Sequence, residues 1–405
     1  MDPRQHALRS AGRRRLLADL AALVALPSVS GDSRHVGDCR RAATWLARRL
    51  SAAGVDGVQL LEAGGPPVVV GRARASDGLR GRPHVLVYAH YDVQPAGSGW
   101  TSSPFRLTVR GRDAVGRGSA DDKGPLLAHV IGVAHLLARG TLPTDVTFVL
   151  DGEEEIGSPH LPSVLARLAR GPRPDVVVLS DTRMAPGCRP ALVRSLRGSV
   201  TLDLGLRTAH PALHAGAWGG AVRGAAGDLA VLLASLDRAS AVRDHTVEPA
   251  LTVTCLRAGG PAMAVPDRGS ARLNLRTGLG QDPLIAAAAV ERHLRDRLPP
   301  GARLDLRRGT AVPAVEADVR GPGARAAAAA YVDAFGRRPV VTTSGGTIAA
   351  VAQLRDAFGA PVVLMGFTPD DARIHAPDER MHLPVLWRAV TAAGRFHHHL
   401  AAGAR

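Results

Sequence analysis

Three short apolar runs constrain this chain most: "HVLVYAH" (84–90), "DVTFVLD" (145–151) and "PDVVVLSD" (174–181). Each is rich in β-branched residues, does not alternate with polar ones, and is too short for a buried helix. Such runs belong to strands covered on both faces. Between the first two, "PLLAHVIGVAHLLARG" (125–140) has helical periodicity, with Pro125 near its start and Gly140 at its stop. Strand, helix, strand in that order predicts a mostly parallel sheet flanked by helices, an α/β fold.

Around residue 190 the pattern changes. "SVTLDLGLRTA" and "SARLNLRTGL" alternate apolar with polar residues, as half-exposed antiparallel strands do, and "GDLAVLLASLDRA" and "DPLIAAAAVERHLRDRL" read as helices. After about residue 306 the earlier style returns with "ARAAAAAYVDAFG" and "APVVLMGF". The expected organisation is an α/β domain in two parts, 1–189 and 306–405, interrupted by an inserted α+β, ferredoxin-like domain, 190–305. At the N-terminus, Leu16, Leu20, Leu23 and Val24 recur at helical spacing and Asp19 interrupts the apolar run. An amphipathic core helix is expected there rather than a signal sequence.

Charge excludes less than it suggests. The formal net charge is +15, but the arginines are spread along the whole length with no run longer than three, and with aromatics at 3% nothing interleaves them with stacking rings. Nucleic-acid binding is therefore not expected. Cys39, Cys188 and Cys255 are odd in number and far apart, which fits a reducing, cytoplasmic compartment. No segment is long enough for a membrane span.

Ligand-type side chains fall where the apolar strands end. The first ends in His90 with Asp92 just beyond, the second is followed by Glu153, Glu154 and Glu155, and the third ends in Asp181; "GRGSADDKGP" places Asp121 and Asp122 just before the helix. In open α/β sheets, sites are built in the crevice at the carboxyl ends of the strands. Each feature alone has a plain reading as a helix cap or a solvated turn. Together they bring carboxylates close enough to repel unless a cation lies among them. An imidazole with several carboxylates suits zinc, cobalt or manganese.

In order along the chain, "YAHYDVQPAGSGWTSSPF", "GRGSADDKGP", "DGEEEIGSP", "LSDT", "LHAGAWGG", "GGTIAAV" and "IHAPDER" resemble the signatures of metallopeptidase family 20. That family contains carnosinase-type dipeptidases, aminoacylases, glutamate carboxypeptidase and succinyl-diaminopimelate desuccinylases, and the likeness is strongest to the dipeptidase branch. The resemblance implies a site for two divalent ions, zinc by expectation, with cobalt or manganese as alternatives. His90 and Asp181 would hold one ion and Glu155 and His375 the other, with Asp121 bridging both and the Asp121–Asp122 peptide cis. Asp92 would orient the His90 ring. Spacing leaves Glu153 and Glu154 equally eligible as general base; the family register selects Glu154. The inserted domain would be a lid that also forms a homodimer. From it His214 would reach the partner's site and steady an oxyanion, while Arg276 and Thr347 would contact the substrate carboxylate.

The expected activity is hydrolysis of the amide bond of dipeptides or short peptides, through a water activated between two metal ions. The alternative is deacylation of N-acyl amino acids by the same machinery, and a non-catalytic binding relative is a further reading. Ala212 and Ala215 depart from the usual lid motif, and Thr343, Ser344 and Ala349 depart from the usual residues around Gly345–Gly346. Those departures touch the substrate rather than the metal ligands. Lys123, the sole lysine among 51 basic residues, is expected to pair with a neighbouring carboxylate, and His397, His398 and His399 to form an exposed helix end.

Overall fold

The three apolar runs lie in the middle of one sheet. The computed structural model describes residues 3–76, 81–236, 246–259 and 263–403, which divide into two compact units. The first contains residues 1–194, 317–342 and 348–405, and the second 195–316 and 343–347.

In the first unit the strands run in the order Asp56–Leu61, Val68–Ala73, Asp145–Asp151, His84–His90, Val176–Leu179, Val362–Met365 and Ala191–Leu196. The central four are parallel, and the strands outside them are antiparallel. Val85, Val87, Phe148, Leu150, Val176 and Val178 are buried, as uninterrupted apolar runs require when both faces of a sheet are covered. His90 stands directly beside Asp151 in the register, so the parallel strands end at one level. Every loop leaving that level is delivered to the same crevice.

Helix Lys123–Leu137 packs against both the first helix, Pro3–Val24, and the last, Leu383–Gly403. Leu16, Leu20, Leu23 and Val24 are buried on that first helix, as their spacing predicts. The histidine run corrects a sequence expectation. His397 lies inside the last helix, fully buried, with Nδ1 2.8 Å from Thr144 Oγ1, while His398 and His399 are half-buried. A helix of 21 residues turns one of three consecutive side chains inward whatever their polarity.

The second unit has four antiparallel strands in the spatial order Ala250–Ala258, Arg268–Thr277, Gly198–Arg207, Arg303–Arg308. With helices Ala225–Ala234 and Pro283–Asp296, the sequence order is strand, helix, strand, strand, helix, strand, a ferredoxin-like arrangement. Val200, Leu202, Leu204 and Leu206 point inward on one strand and Leu273 and Leu275 on its neighbour, meeting Leu229 and Leu294 from the helices. The alternation read from the sequence is this inward and outward pattern.

Candidate metal centre

The crevice of the first unit gathers acids and imidazoles from five segments. His90 is the last residue of its strand; Asp121 ends the loop before helix Lys123–Leu137; Glu154 and Glu155 sit in a short 3₁₀ turn after strand Asp145–Asp151. Asp181 follows strand Val176–Leu179, and His375, with φ of 61°, lies in the loop after strand Val362–Met365.

Among the described residues two groups have ligand atoms within 4.8 Å of one another: His90, Asp121 and Asp181, and Asp121, Glu155 and His375. Asp121 belongs to both. Its Oδ1 is 3.1 Å from His90 Nε2, and its Oδ2 is 3.0 Å from His375 Nε2. Asp181 Oδ2 is 3.8 Å from His90 Nε2, and Glu155 Oε2 is 3.1 Å from His375 Nε2. The Asp121–Asp122 peptide is cis.

The electrostatics fit cations at both groups. Burial, then the neighbouring Asp121 charge, pushes Asp181 well above the usual carboxylate range, and burial does the same to Glu154. Hydrogen bonds to Asp121 and Glu155 push His375 up to about 10. The cluster therefore draws in protons to offset packed carboxylates. A metal ion held by the same nitrogen and oxygen atoms displaces those protons and supplies the positive charge itself. One imidazole and two carboxylates in each group suit a divalent ion such as zinc, cobalt or manganese.

Asp92 ties several ligands together. His90 Nδ1 is 3.3 Å from Asp92 Oδ1 and 3.1 Å from the Asp92 carbonyl oxygen. The same carboxylate accepts the backbone N–H groups of Glu154 and Glu155, each at 3.1 Å, and the Ser30 hydroxyl at 2.6 Å. One buried side chain thus orients an imidazole and fixes the turn carrying the next two acids.

The three consecutive glutamates have different surroundings, which spacing could not show. Glu153 points away and takes the His160 ring at 2.9 Å. Glu155 accepts from Gln94, through the backbone N–H at 3.1 Å and Nε2 at 3.0 Å. Glu154 belongs to neither ligand group, although its buried carboxyl feels the charges of His90, Glu155, Asp92 and Asp121.

Two residues in the quoted motifs went unread in the sequence. Gln94 is one. Glu379, fully buried, accepts from the backbone N–H of Gly118, Ala120 and Asp121 at 3.0, 3.0 and 3.1 Å, and from Arg117 at 2.7 Å. It clamps the loop presenting Asp121 to the segment presenting His375. Lys123 corrects another expectation: its buried Nζ donates to the carbonyls of Leu23 and Leu26, at 3.0 and 2.8 Å, and among the described residues to no carboxylate. The ammonium caps the C-terminal end of the first helix, where carbonyls lack internal partners.

Residues 86–399 match the model of Peptidase family M20/M25/M40. The chain belongs to that family. It is a metallopeptidase. A Cysteinylglycine-S-conjugate dipeptidase from Corynebacterium striatum is 25% identical over 435 residues, covering 95% of each protein. A Beta-Ala-His dipeptidase from Rattus norvegicus is 35% identical over 160 residues, 38% of this chain and 32% of that protein. The fold matches the solved dipeptidase Dug1p from Saccharomyces cerevisiae with a TM-score of 0.86, 21% identity and 97% of both chains covered.

The remaining candidates of this M20-family chain lie in its second unit. His214 is exposed and accepts the Ala217 backbone N–H at 3.2 Å through Nδ1, capping a one-turn helix. Arg276 donates to Thr347 Oγ1 at 2.7 Å, and that hydroxyl donates to the Arg197 carbonyl at 2.6 Å. Among the described residues no helix is long and apolar enough to cross a membrane.

Proposed function

We propose that this metallopeptidase hydrolyses the amide bond of dipeptides and similar short peptides carrying a free carboxylate. The observation carrying this reading is the pair of His–carboxylate groups that share Asp121. In it His90 and Asp181 would hold one divalent ion and Glu155 and His375 the other, with Asp121 shared between the two groups; zinc is the expected metal. The bound ions would polarise the scissile carbonyl and lower the pKa of a water between them.

Glu154 takes the proton of the attacking water and returns it to the departing amine. Asp92 holds the His90 ring with Nε2 facing Asp121. Arg276, whose planar fork suits a carboxylate, grips the free end of the substrate together with Thr347. His214, exposed on the second unit, donates to the developing oxyanion in the active site of a partner copy. The reading includes a homodimer formed through the second unit and a place in the cytoplasm.

The relatives' names support a dipeptide over an N-acyl amino acid. The test is amine release from a panel of dipeptides, Cys-Gly and β-Ala-His included, and of N-acyl amino acids, with zinc, cobalt or manganese and again with a chelator. Metal-dependent release from dipeptides is the expected result. Release confined to N-acyl amino acids would replace the peptidase reading with the deacylase one.

A further inference from the structure

The sheet of the second unit carries its helices on one face and a concentration of arginine on the other. Arg268, Arg207 and Arg303 stand directly opposite one another on three neighbouring strands. All three are exposed. Like charges in facing positions of a sheet destabilise it, so this row opposes folding unless something anionic meets it.

Over the same face lies a cavity of about 810 Å³, lined by Arg207, Arg257, Arg268 and Arg307 with Asp203 and Asp305. At its centre Gly205 pairs with Ser270, and a Cβ added at Gly205 would come no nearer than 3.8 Å to the Asp305 Cβ, so the space is unfilled. The acids do not balance the arginines. Asp203 is already held by Arg272, at 2.6 and 3.1 Å, and Arg268 has only a 3.4 Å contact with Asp267. Arg307 shares Asp203 with Arg272, standing opposite that acid in the register and helping to hold its carboxyl below the usual range, so one acid serves two arginines.

We infer that this cavity binds a compact oligophosphate. Arginine forks match phosphate oxygens in pairs, and the volume falls in the range of about 300–1,000 Å³ usual for small-molecule sites. No aromatic side chain lines the cavity, so it offers no platform for the bases of a nucleic-acid strand.

The probe is tripolyphosphate, titrated calorimetrically into the full-length, metal-loaded protein at about 0.15 M salt, where loosely screened contacts are weak. The comparison is with Arg207→Ser/Arg307→Ser, whose metal centre is untouched, so heat common to both proteins is chelation. Saturable binding at one site per chain is expected, weakened at least about tenfold in the variant, the loss of one or two charge-assisted contacts. Without anion, Arg207→Thr is expected to raise the thermal midpoint, because the facing charges are relieved. Equal heats in both proteins, or an isotherm that never saturates, would overturn the site. Citrate binding as tightly as tripolyphosphate would overturn its assignment to phosphate.

Discussion

Glu379 holds Asp121 by its backbone rather than its side chain: Oε1 of the buried glutamate accepts the Asp121 N–H at 3.1 Å. The Asp121 carboxylate is thereby left free to face both imidazoles, at 3.1 and 3.0 Å. The same loop is joined again to the Glu379 segment where the Gly116 N–H donates to the Glu379 carbonyl at 2.9 Å.

Replacing Glu379 with Gln should therefore damage two things at once. An amide nitrogen would face backbone N–H donors, and buried Arg117, now paired with Glu379 at 2.7 Å, would lose its counter-ion. Breaking a buried pair from one side costs about 3–5 kcal/mol. Urea denaturation should show a loss of that order, and chelator challenge should strip metal faster than from the wild type. A variant with unchanged metal retention would show that the clamp does not position Asp121.

Glu154→Ala should lower turnover about 10²–10⁴-fold, the usual contribution of a general base, with bound metal unchanged. Its carboxylate is in neither ligand group, so removing it leaves both sets of donors intact. Metal analysis beside steady-state rates checks this; parallel loss of metal and activity would make Glu154 a ligand instead. Removing the metal with a chelator should abolish turnover in the wild type and lower its thermal midpoint, as packed carboxylates lose their counter-charge.

Lys123→Arg should destabilise the protein despite keeping the charge. The lysine is fully buried, and a Cβ at Gly118 would already lie 3.1 Å from Lys123 Cδ. A planar guanidinium does not fit where a compact ammonium reaches two carbonyls. Lys123→Met removes the donor and leaves the Leu23 and Leu26 carbonyls short of a partner, at about 1–3 kcal/mol each. Denaturation midpoints of both variants should fall, with the first helix showing faster amide exchange.

Stability should fall in mild acid through two buried histidines that belong to neither ligand group. Burial lowers His129 to about 4 and His397 to about 3, and the charges of His129 and His398 add to the effect on His397. Both folded values lie below the unfolded value of 6.5, so the unfolded chain takes up protons first. Their contribution is intact above about pH 6.5 and declines as pH falls toward 4 and then 3, by up to about 1.4 kcal/mol per pH unit for each group. Thermal midpoints measured from pH 8 to 4.5 should bend downward near 6.5, and His397→Gln should bend less.

The sequence by itself determined the local order. Runs of β-branched residues fixed strands buried on both faces, alternation fixed the half-exposed sheet of the second unit, and ligand-type residues at the ends of the buried strands announced a polar crevice. Motif order added His375, which lies 194 residues after Asp181 (375 − 181) and was out of reach of spacing alone. Only the tertiary structure decided where each side chain points. Three adjacent glutamates acquired three different surroundings, because Asp92 and Gln94, from the stretch after strand His84–His90, meet Glu154 and Glu155, while Glu153 turns to His160. Lys123 was drawn to the carbonyls of a helix end nearly a hundred residues earlier, and His397 was turned into the core. Periodicity is a property of neighbours along the chain, whereas burial and hydrogen-bond partners depend on segments that meet only when the whole chain has folded.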